Sequence, residues 1–131
     1  MAKTKPSWKI QSYGLYSAWD RDSKELPEIQ EFTQTIPARV GVEFGYILQI
    51  KKGRGRQISF TIEHPPFTDN TGKLAPPFTG DVYIRSNEWS FFLGDTIWEP
   101  VEDKSGTWRL IVKLEGEVMA DKSFDVVAGI E

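Results

Sequence analysis

Apolar and polar side chains alternate along most of this chain with a period of two. In QISFTIEH, Ile58, Phe60 and Ile62 alternate with Gln57, Ser59, Thr61 and Glu63. Successive side chains of a strand point to opposite faces, so the run predicts a strand with one buried and one solvated face. In RVGVEFGYILQI the even positions Val40, Val42, Phe44, Tyr46, Leu48 and Ile50 face one way. Gly41, Glu43, Gly45 and Gln49 face the other, and Ile47 breaks the rule. The connection KKGRGR carries glycines that allow the positive φ of a hairpin turn, which predicts that these two strands pair antiparallel.

The C-terminal third repeats the pattern. Asp103-Lys104-Ser105-Gly106 is turn chemistry, after which TWRLIVKL places Trp108, Leu110, Val112 and Leu114 on one face. Glu115-Gly116 can form a two-residue turn, and EVMADKSFDVV returns with Val118, Ala120, Phe124 and Val126 aligned. Lys122 interrupts that face, so a register shift by one would bury Met119 instead. KIQSYGLYSAW, DVYIRS, EWSFFLG and TIWEPV read as further strands, and DRDSKELPEIQEFTQTIP as a loop, one helical turn or a short edge strand. No stretch holds a helical period over ten or more residues. The expectation is one all-β domain over residues 1–131: an immunoglobulin-like antiparallel β-sandwich of about seven to nine strands, with a small barrel as the alternative.

Composition adds limits. A chain of 131 residues fits one domain, and its 5 Trp, 8 Phe and 4 Tyr supply a core without staples. The count of 0 Cys removes disulfides, thiolate zinc sites and cysteine nucleophiles, and suits a reducing compartment. The opening MAKTKPSWKIQSYG lacks the apolar run of about 7–15 residues of a signal peptide, and no segment approaches the ~20 apolar residues of a membrane span. These features set the expectation of a cytoplasmic protein with no membrane partner. A net charge of −3 gives no global attraction to nucleic acid.

Four stretches, SYGLY, IPARVGVEFGYIL, HPPFTDNTGK and GTWRLIVKLEGEVMADKSFDV, together resemble a bacterial family known as domain of unknown function 3859. They span nearly the whole chain, and IPARVGVEFG is the most distinctive. The resemblance implies an immunoglobulin-like sandwich and carries over no activity and no site residues.

Candidate chemistry is sparse. PPFT occurs twice between His64 and Asp81. One reading is a proline-stiffened platform that shows Phe67 and Phe78 to a partner. The other, favoured, reading is two strand–loop junctions: prolines cannot donate to a ladder, each Phe tucks into the sandwich edge, and Asp69-Asn70-Thr71-Gly72 turns the chain. His64, the single histidine, follows the inward alternation and is expected at a strand end bonded to backbone; Glu63, Asp69 and Asp81 are the carboxylates that could orient it in a hydrolase.

Lys51, Lys52, Arg54 and Arg56 concentrate positive charge, but without an adjacent stacking surface they are expected to be a solvated loop rather than a nucleic-acid contact. Asp20, Asp22, Glu28 and Glu31 mimic a calcium-loop spacing, yet Lys24 and Glu25 occupy the positions that need an oxygen ligand and a glycine, so no metal is expected. Trp108 and Trp89 read as core, whereas Trp8 and Trp19 could be exposed.

The expected function is therefore a non-enzymatic protein-interaction or structural module, acting through a sheet edge or the long loop, without cofactor, with homodimerisation through a sheet edge as one mode. Small-molecule or carbohydrate binding beside the 64–81 loop is the alternative. A hydrolase built around His64 ranks last.

Overall fold

The structure, a computed structural model, describes residues 5–18 and 25–129. Among the described residues nine strands follow in order: β1 (Ser7–Tyr16), β2 (Ile29–Glu31), β3 (Thr35–Pro37), β4 (Glu43–Lys51), β5 (Gln57–Glu63), β6 (Phe78–Tyr83), β7 (Glu88–Thr96), β8 (Gly106–Leu114) and β9 (Glu117–Val127). They form a four-stranded sheet ordered β2-β1-β4-β7 and a five-stranded sheet ordered β3-β9-β8-β5-β6. All pairs are antiparallel except β3 with β9, which run parallel over Thr35–Pro37 and Asp125–Val127. The ambiguous polar stretch supplies β2 and β3, one short edge strand for each sheet. No helix among the described residues is long and apolar enough to cross a membrane.

The core lies where the two alternating faces meet. Phe44, Tyr46, Leu48 and Ile50 of β4 face Ile58 and Ile62 of β5, Trp108, Leu110, Val112 and Leu114 of β8, and Phe124 and Val126 of β9. Each such side chain contributes about 1.5–3 kcal/mol of burial. Phe44 meets Trp108 edge to face, with ring centroids 5.5 Å apart. The Tyr46 hydroxyl crosses this layer and donates to the Leu110 carbonyl at 2.9 Å, pinning one sheet to the other. Burial pushes the Tyr46 phenol pKa up, which keeps the hydroxyl a donor.

Ile47 breaks the alternation because the outer face of the four-stranded sheet carries its own small buried cluster. Tyr16, Ile47 and Phe92 are buried together there, with Leu26 and Ile29 packed on them. Gly14, Gly45 and Gly94 stand side by side across β1, β4 and β7. At Gly14 and Gly45 φ is 131° and 149°, and a Cβ would lie 2.0 Å from the Glu31 carbonyl and 2.1 Å from the Leu93 carbonyl. Only glycine fits there. Tyr16 bonds Ser12 at 2.8 Å across Gly14 and meets Phe92 edge-on at 4.9 Å; its phenol is pushed up to about 12, mainly by burial.

Three expectations need correction. KKGRGR is not a hairpin, since β4 and β5 belong to different sheets. The loop arches between the layers, so that the apolar faces of β4 and β5 oppose each other instead of lying side by side. Neighbouring backbone holds it there: Lys52 N donates to Asn87 O at 2.8 Å, Gly55 N to Ile84 O at 2.9 Å, and Ile84 N to Arg56 O at 2.8 Å. Val40 is 57% exposed rather than inward, because the chain turns at Arg39–Gly41 before β4 begins. TIWEPV is not a separate strand: Thr96 ends β7, and the chain then leaves the sheet.

The terminal hairpin forms as the alternation predicts. Glu115 and Gly116 have φ of 50° and 85°, the left-handed pair of a two-residue turn. A register shift between Val112 and Lys113 leaves Met119 as the extra residue, so Met119 and Ala120 are both buried while Val118 is turned out. Lys122 reaches the sandwich edge, with its ammonium 4.0 Å over the Tyr13 ring.

Candidate functional site

Two connections flank β5, one at each end, and the proline-rich and basic stretches singled out in the sequence lie in and beside them. The chain leaving β5 enters a tongue, residues 64–77, that returns as β6. His64 is half-buried and stacks on Phe67 with centroids 4.1 Å apart. Its Nδ1 lies 2.8 Å from the Pro65 carbonyl and its Nε2 lies 2.9 Å from the Pro76 carbonyl, so the ring bridges the two proline pairs. A ring carrying one hydrogen donates to one of these carbonyls, and a doubly protonated ring donates to both.

Phe67 is 7% exposed and sits edge-on to Trp98 at 5.5 Å. Phe78, half-buried as the first residue of β6, packs against His64 at 4.8 Å. The second PPFT therefore enters a strand and the first enters a loop, each with its ring turned inward. Beneath them lies Lys104, 1% exposed. Its ammonium donates to the Pro100 carbonyl at 2.9 Å and to Asp103, and it lies 4.7 Å from the Phe67 ring and 4.5 Å from the Trp98 ring. A desolvated cation over an aromatic face is worth about 2 kcal/mol. The Lys104 carbonyl accepts the Trp108 indole N–H at 2.8 Å, which ties this floor into the core.

The tongue tip closes on itself. Asp69 accepts from Thr71 N at 2.8 Å, from the Thr71 hydroxyl and from Lys73 N at 3.2 Å. The Thr71 hydroxyl and amide hold its carboxyl below the usual carboxylate range. Ala75 N donates to Phe67 O at 2.9 Å, and Thr68 bridges Leu74. This miniature hairpin turns Leu74 outward at 69% exposure, with Pro66, Pro76 and Pro77 also exposed. The carboxylates proposed to orient His64 lie elsewhere: Asp69 caps the tip, Asp81 is on the solvent face of β6, and Glu63 lies 4.0 Å from Arg109.

The basic loop lies at the opposite end of β5. Lys51, Lys52 and Arg54 are exposed, and Arg56 lies 3.7 Å from Glu115. Tyr83, 62% exposed, lines a shallow groove of about 520 Å³ beside this loop, together with Arg56, Asp81 and Glu115. An aromatic surface therefore adjoins the loop, contrary to the expectation that none would, but two carboxylates stand in the same groove. Trp8 is half-buried against the core. Trp19, Asp20, Arg21, Asp22 and Lys24 lie outside the described residues, and the described His, Asp and Glu side chains form no group of three or more that could hold a metal. The contribution of Lys104 was not visible in the sequence, because a lysine in a turn ordinarily points to water. Its only hint is its place four residues before a core tryptophan.

Two stacked sheets, a tyrosine hydroxyl crossing between them and loops gathered at both ends define an immunoglobulin-like β-sandwich. The chain is similar to an immunoglobulin-like protein from Pseudomonas aeruginosa, whose crystal structure superposes with a TM-score of 0.74 at 23% identity, covering 97% of this chain and 100% of that one. The family described as domain of unknown function (DUF3859) matches residues 4–126, and the chain belongs to that family. No curated protein matches the chain.

Proposed function

We propose that this sandwich is a non-enzymatic interaction module whose 64–77 tongue docks a protein partner. The observation that carries the reading is the opposed orientation of the tongue's apolar residues. Phe67 is held inside by His64, Trp98 and Lys104, while Leu74 stands 69% exposed on a tip already fixed by its own hydrogen bonds. A preordered apolar projection loses little conformational freedom on binding, which favours affinity from a small contact. The interior of the tongue is filled by stacked rings, which supports a docking surface over a ligand groove. Both His64 nitrogens face backbone carbonyls, which favours a bracing role over acid–base work.

A photo-crosslinking residue placed at Leu74 in the producing cells should capture one discrete protein, whereas the same residue at Lys113, exposed on β8 toward the other end of β5, should not. Leu74→Asp should abolish a complex reconstituted with that protein while shifting stability by no more than about 0.5 kcal/mol. An unchanged affinity for Leu74→Asp would remove the tongue from the interface.

A further inference from the structure

We propose that β6 pairs edge to edge with β6 of a second copy of this chain, about a two-fold axis through Gly80. This surface is separate from Leu74 and does not depend on the tongue's partner. β6 is the outer strand of the five-stranded sheet, and no described strand pairs with its free side. Edge strands commonly discourage such pairing with lysines, inward charges or bulges. β6 has none of these: its register against β5 is unbroken, and its one charge, Asp81, lies on the solvent face.

The direction of the backbone groups can be read from the structure. Ile84 N donates to Arg56 O at 2.8 Å and Ile84 O accepts from Gly55 N at 2.9 Å, so both polar groups of Ile84 turn toward the β5 side. Antiparallel ladders alternate, so Val82, Gly80 and Phe78 also turn inward, and Thr79, Asp81 and Tyr83 present N–H and C=O to the open edge.

A two-fold pair keeps both sheet faces matched only when its axis passes through a residue position. With the axis at Gly80, Thr79 stands opposite Asp81 of the second copy on both sides of it. Each of those pairs exchanges both backbone hydrogen bonds, and the Thr79 hydroxyl is placed to donate to the Asp81 carboxylate. Phe78 meets Val82 of the second copy on the core side. The two glycines form the close, non-bonded pair, with Cα atoms about 4.5 Å apart. On the core side each glycine already lies beneath the Phe60 ring, which comes within 2.6 Å of where a Cβ would be.

An axis at Asp81 would also satisfy the backbone, but it sets two carboxylates against each other. These two axes overlap the six-residue strand most fully, and between them charge selects Gly80. Pro77, lacking an N–H, stops the ladder from growing beyond the strand. An edge of this length buries less than the roughly 1,200 Å² of a standard interface, so the dimer is weak and dissociates on dilution.

Sedimentation velocity of the full chain, run from micromolar to millimolar concentration, tests this. Wild type should shift from monomer toward dimer. Thr79→Pro removes an N–H that faces the open edge and spares the ladder to β5, so it should remain monomeric with unchanged far-ultraviolet dichroism. A wild type that stays monomeric throughout, or a Thr79→Pro chain that dimerises as well as wild type, would overturn the proposal. If Thr79→Pro fails to fold, amide spectra of wild type on dilution decide. Changes concentrated at residues 78–83 support the pairing, and changes elsewhere without any there reject it.

Discussion

The two connections that flank β5 differ in composition and in their means of support. The 64–77 tongue carries its own small core, in which His64 packs against Phe67 and against Phe78 of β6, Lys104 lies against the Phe67 ring, and the tip is tied by Asp69. The 52–56 arch has no such core and takes its shape from the adjacent 84–87 connection through backbone hydrogen bonds. Only Gly53 reaches inward, against Ile50 and Ile84. A loop with an internal core can present a surface independently of its neighbours, whereas an arch held by another loop is a joint between sheets. The conspicuous charges of the arch therefore say less about its role than the uncharged rings of the tongue say about theirs.

Substitutions can break this contrast. Phe67→Ala should cost about 3–5 kcal/mol in urea unfolding, with Phe78→Ala costing less because that ring is only half-buried. Equal, small losses would mean that the tongue has no core of its own. Lys104→Ala should cost about 2 kcal/mol through the lost cation–aromatic contacts together with the lost packing of the stem, and Lys104→Met, which keeps an aliphatic stem, about 1 kcal/mol. A Lys104→Met chain as weak as Lys104→Ala would assign the effect to charge rather than packing. Gly53→Ala should cost about 1–2 kcal/mol, since the added methyl lies 3.0 Å from Ile84 and 3.1 Å from Ile50 side chains. Replacing Lys51, Lys52 and Arg54 together with Gln should leave stability within about 0.5 kcal/mol.

The smallest effect concerns pH. The Asp69 carboxyl is depressed in the folded chain, so its contribution is present above the ordinary carboxylate range and is lost as pH falls through the lowered value. The protection of the Thr71 and Lys73 amides, taken relative to the intrinsic exchange rate at each pH, should therefore fall on acidification, and Asp69→Ala should show the low protection already at neutral pH. A loss of protection spread over β8 and β9 instead would show that the tip is not an independent unit.

Much of the sandwich was legible because period two is a local signal. The inner face of β8, the Glu115-Gly116 turn and the exchange of Val118 for Met119 all follow from neighbours in sequence. The arch was not legible, because glycines supply the same left-handed backbone to a hairpin and to a crossing between sheets. Ile47 defied its strand because the strip that buries it gathers Tyr16, Phe92 and Leu26 from distant parts of the chain. Of the candidate site, the inward turn of Phe67 and Phe78 could be argued from the prolines, whereas Lys104 could not, since its aromatic neighbours come from separate connections. The separation of Asp69 and Asp81 from His64 likewise depends on which face and which loop tip they occupy.

The parallel contact of Thr35–Pro37 with Asp125–Val127 joins β3 to β9 across some ninety intervening residues. During synthesis Ile36 has no ladder to join until Asp125–Val127 have emerged from the ribosome. A chain interrupted before β9 would therefore carry an unfinished seam down one side, with the backbone of Thr35–Pro37 left open to other partners.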